Sequence, residues 1–182
     1  MSYAEIVEKA GGPIRCQGSY KNFESGPEAA LCVQVAEVEV DSETGQVRLK
    51  QLTTAHSTGT VINPLMHQGQ IDGGVVMGMG YGLMEQVVID AGKVITTNFG
   101  ENKIPSIQDI PILKTVVQEF AVGNGPYGGM SIGEPPVVPV AAAIANAVHD
   151  AVGVRIYDLP ITAEKVLGAL KKARAQTNRC LV

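Results

Sequence analysis

The chain has no tryptophan, and aromatic residues amount to 4% of its 182 positions. Binding that depends on stacking bases against aromatic side chains is poorly served by such a composition. An excess of positive charge is missing too. The formal net charge is -4 and the isoelectric point about 5.4, which argues against nucleic acid or an anionic membrane as the main partner. Cysteine is scarce: Cys16, Cys32 and Cys180 stand far apart, so neither a zinc site nor an iron–sulfur cluster can be built from this chain alone. The odd count, behind a start that does not look like a leader, leads us to expect a reducing compartment, most simply the cytoplasm. Pro139 and Asn146 interrupt the longest apolar run, which leaves none of membrane-spanning length. His56, His67 and His149 lack a second ligand at metal-helix spacing, so no metal ligand set is expected. For His56, at a strand end, a ligand or general-base role stands beside a structural one.

What is present is ordinary globular material, 45% hydrophobic and 18% charged, enough for one core. We expect a single domain over 1–182, with 1–28 connector-like and 171–182 a flexible tail. Ser2 and Glu5 form a capping-box pattern for a short surface helix that Gly11-Gly12-Pro13 stops. An extended piece is expected at Ile14 to Tyr20. Two β-branched runs, Ala30 to Val40 and Val47 to Leu52, flank Asp41-Ser42-Glu43-Thr44-Gly45 and read as a β-hairpin with Arg48 and Lys50 on the wet face. Its second strand continues through Ala55 and delivers His56-Ser57-Thr58-Gly59 to a loop. A second hairpin turns at Ala91-Gly92, 98–111 is loop, Ile112 to Phe120 a strand, and Thr162 caps a last helix that runs through Leu170. Hairpins mixed with helices, without regular strand–helix alternation, indicate an α+β fold.

Two segments carry chemistry. Asn63 and Pro64 open a helix that holds Gly69, Gly73, Gly74, Gly78, Gly80 and Gly82. Glycines recurring every fourth residue strip side chains from one face, although each disfavours the helix by up to about 1 kcal/mol against alanine. Close backbone approach is required, either by tight packing or by a cofactor lying on the bare face. At its entrance Gln68 and Gln70 can each donate and accept hydrogen bonds to a heterocycle or phosphate. The other segment is Ser131-Ile132-Gly133-Glu134-Pro135-Pro136, reached through a glycine-rich loop and followed by the apolar run Val137 to Val148. A carboxylate at the mouth of a buried helix loses water and becomes a better base. Alternatively, Glu134 caps that helix or complements its dipole.

Several stretches together resemble the C-terminal part of the molybdopterin-binding subunit of the xanthine dehydrogenase and aldehyde oxidase family of molybdenum hydroxylases. They are Ala36-Glu37-Val38-Glu39-Val40-Asp41 with Glu43-Thr44-Gly45-Gln46-Val47, Ile62-Asn63-Pro64 with Gly69-Gln70-Ile71-Asp72-Gly73-Gly74, Lys103-Ile104-Pro105, Asp109-Ile110-Pro111, Gly133-Glu134-Pro135-Pro136, and Leu159-Pro160-Ile161-Thr162. The resemblance implies the second half of a molybdenum-cofactor-binding domain: hairpins, a glycine-rich helix and a buried apolar helix. It implies that Glu134 accepts the proton of a molybdenum-bound hydroxyl as that oxygen attacks an electron-poor carbon. It also implies that Gln70 hydrogen-bonds the molybdopterin and that Gly133 lies beside the metal's ligands. With it the catalytic role of Glu134 takes precedence over the cap. Ser57 stands where the family usually has aspartate, and Met77 where it commonly has glutamine.

The implied partners are the other half of the molybdopterin subunit, a 2Fe-2S subunit, an FAD subunit and a small-molecule substrate: a purine, N-heterocycle or aldehyde. The family's preceding half is not in this sequence, so the chain is not expected to catalyse alone. The competing expectation is a noncatalytic module that packs on a partner chain.

Overall fold

The computed structural model describes residues 1–21, 29–120 and 123–179. Helix α1, Tyr3–Lys9, has the expected capping box, with Ser2 Oγ accepting from the Glu5 N–H and the Glu5 carboxylate accepting from the Ser2 N–H. None of its residues is buried. Ile14 to Tyr20 forms no strand, because no neighbouring strand supplies a ladder there. The connector expected to continue through residue 28 falls partly outside the described residues, as do 180–182 of the tail.

Strands β1, Cys32–Val40, and β2, Val47–Thr58, are the expected antiparallel hairpin, with a bulge between Glu37 and Val38. Asp41 closes its turn: Oδ1 accepts from the N–H groups of Glu43 and Thr44 at 2.8 and 3.2 Å, which holds the carboxyl below its usual range. Gly45 has φ +78°, and the backbone of the last helix leaves no room for a Cβ there, so both conformation and contact demand glycine. Strand β2 is longer than expected and includes His56 through Thr58. The reason is tertiary. β1 pairs it on one side as far as His56, while a third strand, Ile112–Glu119, runs parallel to it on the other from Gln51 to Thr58. A two-stranded ribbon β3–β4, Ile89–Asp90 and Lys93–Val94, precedes that strand, here β5.

Helices cover one face of the three-stranded sheet. Helix α2, Pro64–Leu83, starts as expected, with Asn63 Oδ1 accepting from the Met66 N–H at 3.1 Å. Helix α3, Val140–Val152, ends at Gly153, whose φ of +72° lets its N–H reach the His149 carbonyl at 2.7 Å. Helix α4, Ala163–Arg179, is longer than expected. Beyond Leu170 it still buries residues, since Ala173 packs against the core, and Arg174 donates to the Ser42 carbonyl at 3.3 Å. The mixed α/β arrangement agrees with the α+β expectation. Leu49 and Leu52 meet Ile71, Val75 and Met79 of α2, Val140, Ile144 and Val148 of α3, and Val166 and Leu170 of α4 in one core. Among the described residues no helix is long and apolar enough to cross a membrane.

The glycines of α2 lie on two faces rather than one. A Cβ on Gly74 would lie 2.8 Å from Pro136 Cβ, and on Gly78 2.5 Å from Val140 Cγ2 and 2.9 Å from the Val137 carbonyl. Gly82 is 3.4 Å from Ala141 by the same measure. This face is helix packing. Gly69 and Gly73 meet nothing within 4 Å, because 3.6 residues per turn carries them away from the α3 side. Gly78→Ala is expected to destabilise the fold by about 1–3 kcal/mol through overpacking. Gly73→Ala should raise stability by up to about 1 kcal/mol, as alanine is the better helix former. Urea unfolding of the two variants side by side distinguishes the faces.

Candidate functional site

Glu134 sits in a turn that the chain holds mainly by its carbonyls. Pro135 and Pro136 have no N–H to donate. The Glu134 carbonyl accepts from Val137 N–H at 3.0 Å, Pro136's from Gln34 Nε2 at 2.8 Å, and Val137's from the Tyr81 hydroxyl at 3.2 Å. The turn is therefore tied to itself, to β1 and to α2. It precedes α3, whose N-cap is Pro139 without a side-chain hydrogen bond. Glu134 is thus too far upstream to cap the helix, which corrects that alternative. The expected burial of Glu134 is also corrected: the residue is exposed, because the apolar run that follows it turns inward only from Pro136 onward.

The loop before the turn behaves as its glycines require. Cβ atoms on Gly123 and Gly125 would collide with the backbone of Gly128 and Gly129, and one on Gly59 with Gly128 and Met130. The Thr60 N–H donates to the Gly128 carbonyl at 2.8 Å. The strap thus lies on the segment linking β2 to α2. Within it Tyr127 has φ +59° and is exposed.

The two glutamines of α2 part company. Gln68 Nε2 donates to Asp72 Oδ1 at 2.8 Å and to Thr115 Oγ1 at 2.9 Å, so its amide ties α2 to β5. Gln70 is exposed and its Oε1 lies 3.9 Å from where a Cβ on Gly133 would stand. The structure thus brings Gln70 to the turn of Gly133 and Glu134. With Met66, Gly73 and Met77, Gln70 forms an exposed stripe of α2.

The sheet's helix-facing side is apolar at one end and polar at the other. Cys32, Gln34, Thr54 and His56 make the polar end, and His56 is 2% exposed. Gln34 Nε2 donates to Thr54 Oγ1 at 3.1 Å, and the same hydroxyl is hydrogen-bonded to His56 Nε2 at 2.7 Å. The other ring nitrogen, Nδ1, is buried without a partner among the described residues. Burial, and secondarily the charge of His67, hold the His56 pKa below its ordinary value. Burial also raises the Cys32 thiol, which packs 3.9 Å from His56 Nε2. His56 is a structural histidine here. Gln34 and Tyr81 were not singled out from sequence. For Gln34 a signal existed, a polar residue on the face of β1 shared with Ala36, Val38 and Val40.

Among the described residues the Gln70 amide has no partner, and it lies on an exposed, glycine-bearing stripe of α2 beside the proline-stiffened turn of Glu134. The chain belongs to the molybdopterin cofactor-binding domain family, whose model matches residues 1–111. It is 38% identical over 158 residues to a putative xanthine dehydrogenase molybdenum-binding subunit of Escherichia coli, covering 86% of this chain and 21% of that one. To a probable xanthine dehydrogenase subunit of Bacillus subtilis it is 34% identical over 180 residues, 94% of this chain and 24% of that one. The aldehyde oxidoreductase of Desulfovibrio gigas matches in structure with a TM-score of 0.71 and 38% identity, over 78% of this chain and 15% of that one. The chain spans about a fifth of the length of the curated relatives it matches.

His56 also sets a pH dependence. Its folded pKa lies below the unfolded value of about 6.5, so the unfolded chain takes up the proton first. Folding stability is then full above about 6.5 and falls with acid through the folded pKa. His67, likewise lowered by burial, adds to that slope. Denaturant unfolding between pH 7 and 5 should show the decline, and His56→Gln should reduce its slope without abolishing it.

Proposed function

We propose that this chain is the glutamate-bearing part of a molybdenum hydroxylase that oxidises a purine, N-heterocycle or aldehyde. The observation that carries the proposal is the meeting of the Gln70 amide, unpartnered among the described residues, with the Gly133-Glu134 turn along the exposed face of α2. The residues fit a pterin-sized group. Gln70 offers a donor and an acceptor in one plane, Gly133 permits backbone approach, and Gly69 and Gly73 add no bulk. When bound, the cofactor supplies the two-electron acceptor and the oxygen-transfer chemistry.

The chain's own residues do the rest. Gln70 orients the pterin by its amide, and Glu134 takes a proton at its carboxylate as general base. The proline-stiffened turn keeps that carboxylate from wandering. Glu134 is open to water in this chain, and the remainder of a subunit of the relatives' length closes the site and contributes the substrate pocket. Partner subunits with 2Fe-2S and FAD centres would supply the onward electron acceptors, and the assembly would work in the cytoplasm.

Copurification of the chain with its partners from its own host should recover molybdenum and pterin. Glu134→Gln should lower kcat by about 10²–10⁴-fold, the range for loss of a general base, with metal and pterin content unchanged. Gln70→Ala should instead reduce the pterin retained. A complex without molybdenum or pterin, or full turnover in Glu134→Gln, would overturn the assignment; the former result favours a module that only packs on a partner.

A further inference from the structure

We propose that Gln34 is a positioning residue for Glu134: reaching from β1, its amide holds the Pro136 carbonyl and so fixes the turn that presents the carboxylate. The inference rests on the base role of Glu134 given above. Three observations carry it.

The first is the shortage of other restraints. Two successive prolines remove two donors from the turn, and among the described residues no backbone N–H reaches the Pro136 carbonyl. Gln34 Nε2, 2.8 Å away, is its donor.

The second is the direction of the amide. Both Nε2 protons are used, one on Pro136 and one on Thr54 Oγ1 at 3.1 Å. A reversed amide would set Oε1 against the carbonyl oxygen. The observed orientation leaves Oε1 buried and without a partner among the described residues, an unfavourable term that a protein seldom keeps without cause.

The third is the burial of the anchor. Thr54 is itself held by His56, and both are in the central strand of the sheet, 2% exposed. The turn is therefore referenced to the buried central strand of the sheet, while Glu134 stays exposed at the surface. Gln34 acts through the turn, by its bonds to Pro136 and Thr54.

The test uses the chain in its native assembly, comparing wild type with Gln34→Leu, Gln34→Glu and Glu134→Gln. Gln34→Leu should speed amide hydrogen exchange in the peptide spanning residues 132–140 at least tenfold, with the peptides of α2 unchanged. It should lower kcat at least tenfold with KM, molybdenum and pterin content kept. In Gln34→Glu only the protonated carboxyl can donate to Pro136, so turnover of that variant should fall as pH rises through its titration, a limb that Gln34→Leu lacks. This titrating variant carries the test if Gln34→Leu does not fold. Unchanged exchange in 132–140 overturns the tie. A kcat within twofold of wild type in Gln34→Leu, with Glu134→Gln inactive, overturns the positioning role alone. Turnover surviving in Glu134→Gln overturns the base assignment, and the exchange data then still report separately on the tie.

Discussion

The close approach of α2 to α3 is the constraint on which the rest of the domain depends. Gly74 and Gly78 have no side chains to keep Pro136 and Val140 at a distance, and a Cβ at Gly78 would stand 2.5 Å from Val140 Cγ2. This contact lets Val75 and Met79 of α2 and Ile144 and Val148 of α3 reach Leu49 and Leu52 of the sheet, and the core closes around them. It also decides where the turn before α3 lies. Because Pro136 and Val137 are pressed against the bare face of α2, their carbonyls come within reach of Gln34 and Tyr81. The helix-weakening glycines are thus offset by packing that ordinary residues would prevent.

The inner face of the sheet divides the work between stability and placement. Where β1 and β2 carry Ala36, Val38, Leu49 and Leu52, burial of apolar surface drives folding. Where they carry Gln34, Thr54 and His56, burial is paid in hydrogen bonds, and two polar atoms, Gln34 Oε1 and His56 Nδ1, go without a partner among the described residues. Such an end contributes little to stability but is directional, and direction is what a carboxylate turn needs. The exposed stripe of Met66, Gln70, Gly73 and Met77 and the exposed Glu134 lie beyond it.

Much of this organisation was legible in the residues. The capping box of Ser2 and Glu5, the hairpin around Asp41 to Gly45 and the Asn63-Pro64 helix start are local interactions, complete within a few residues, and each occurs as read. The separation of Gln68 from Gln70 was not legible. The two look alike in sequence, and only the arrival of Thr115 on a parallel strand from far along the chain commits Gln68 to the fold. The two faces of glycine were likewise merged, since the spacing of Gly69 and Gly73 repeats that of Gly74, Gly78 and Gly82. Which face meets another helix depends on where that helix lies.

By itself the sequence determined what short-range physics controls: the start and stop of the helices, the hairpin turn, the positions where glycine and proline limit the backbone, and which polar side chains stand beside those positions. The tertiary structure decided which of those residues are spent on the fold and which are left free. It extended β2 through His56 by pairing it on both sides, buried that histidine, and left Glu134 in the open. The physical reason is that burial and hydrogen-bond partnership belong to contacts between distant segments, and those exist only once the sheet and helices have closed on one another.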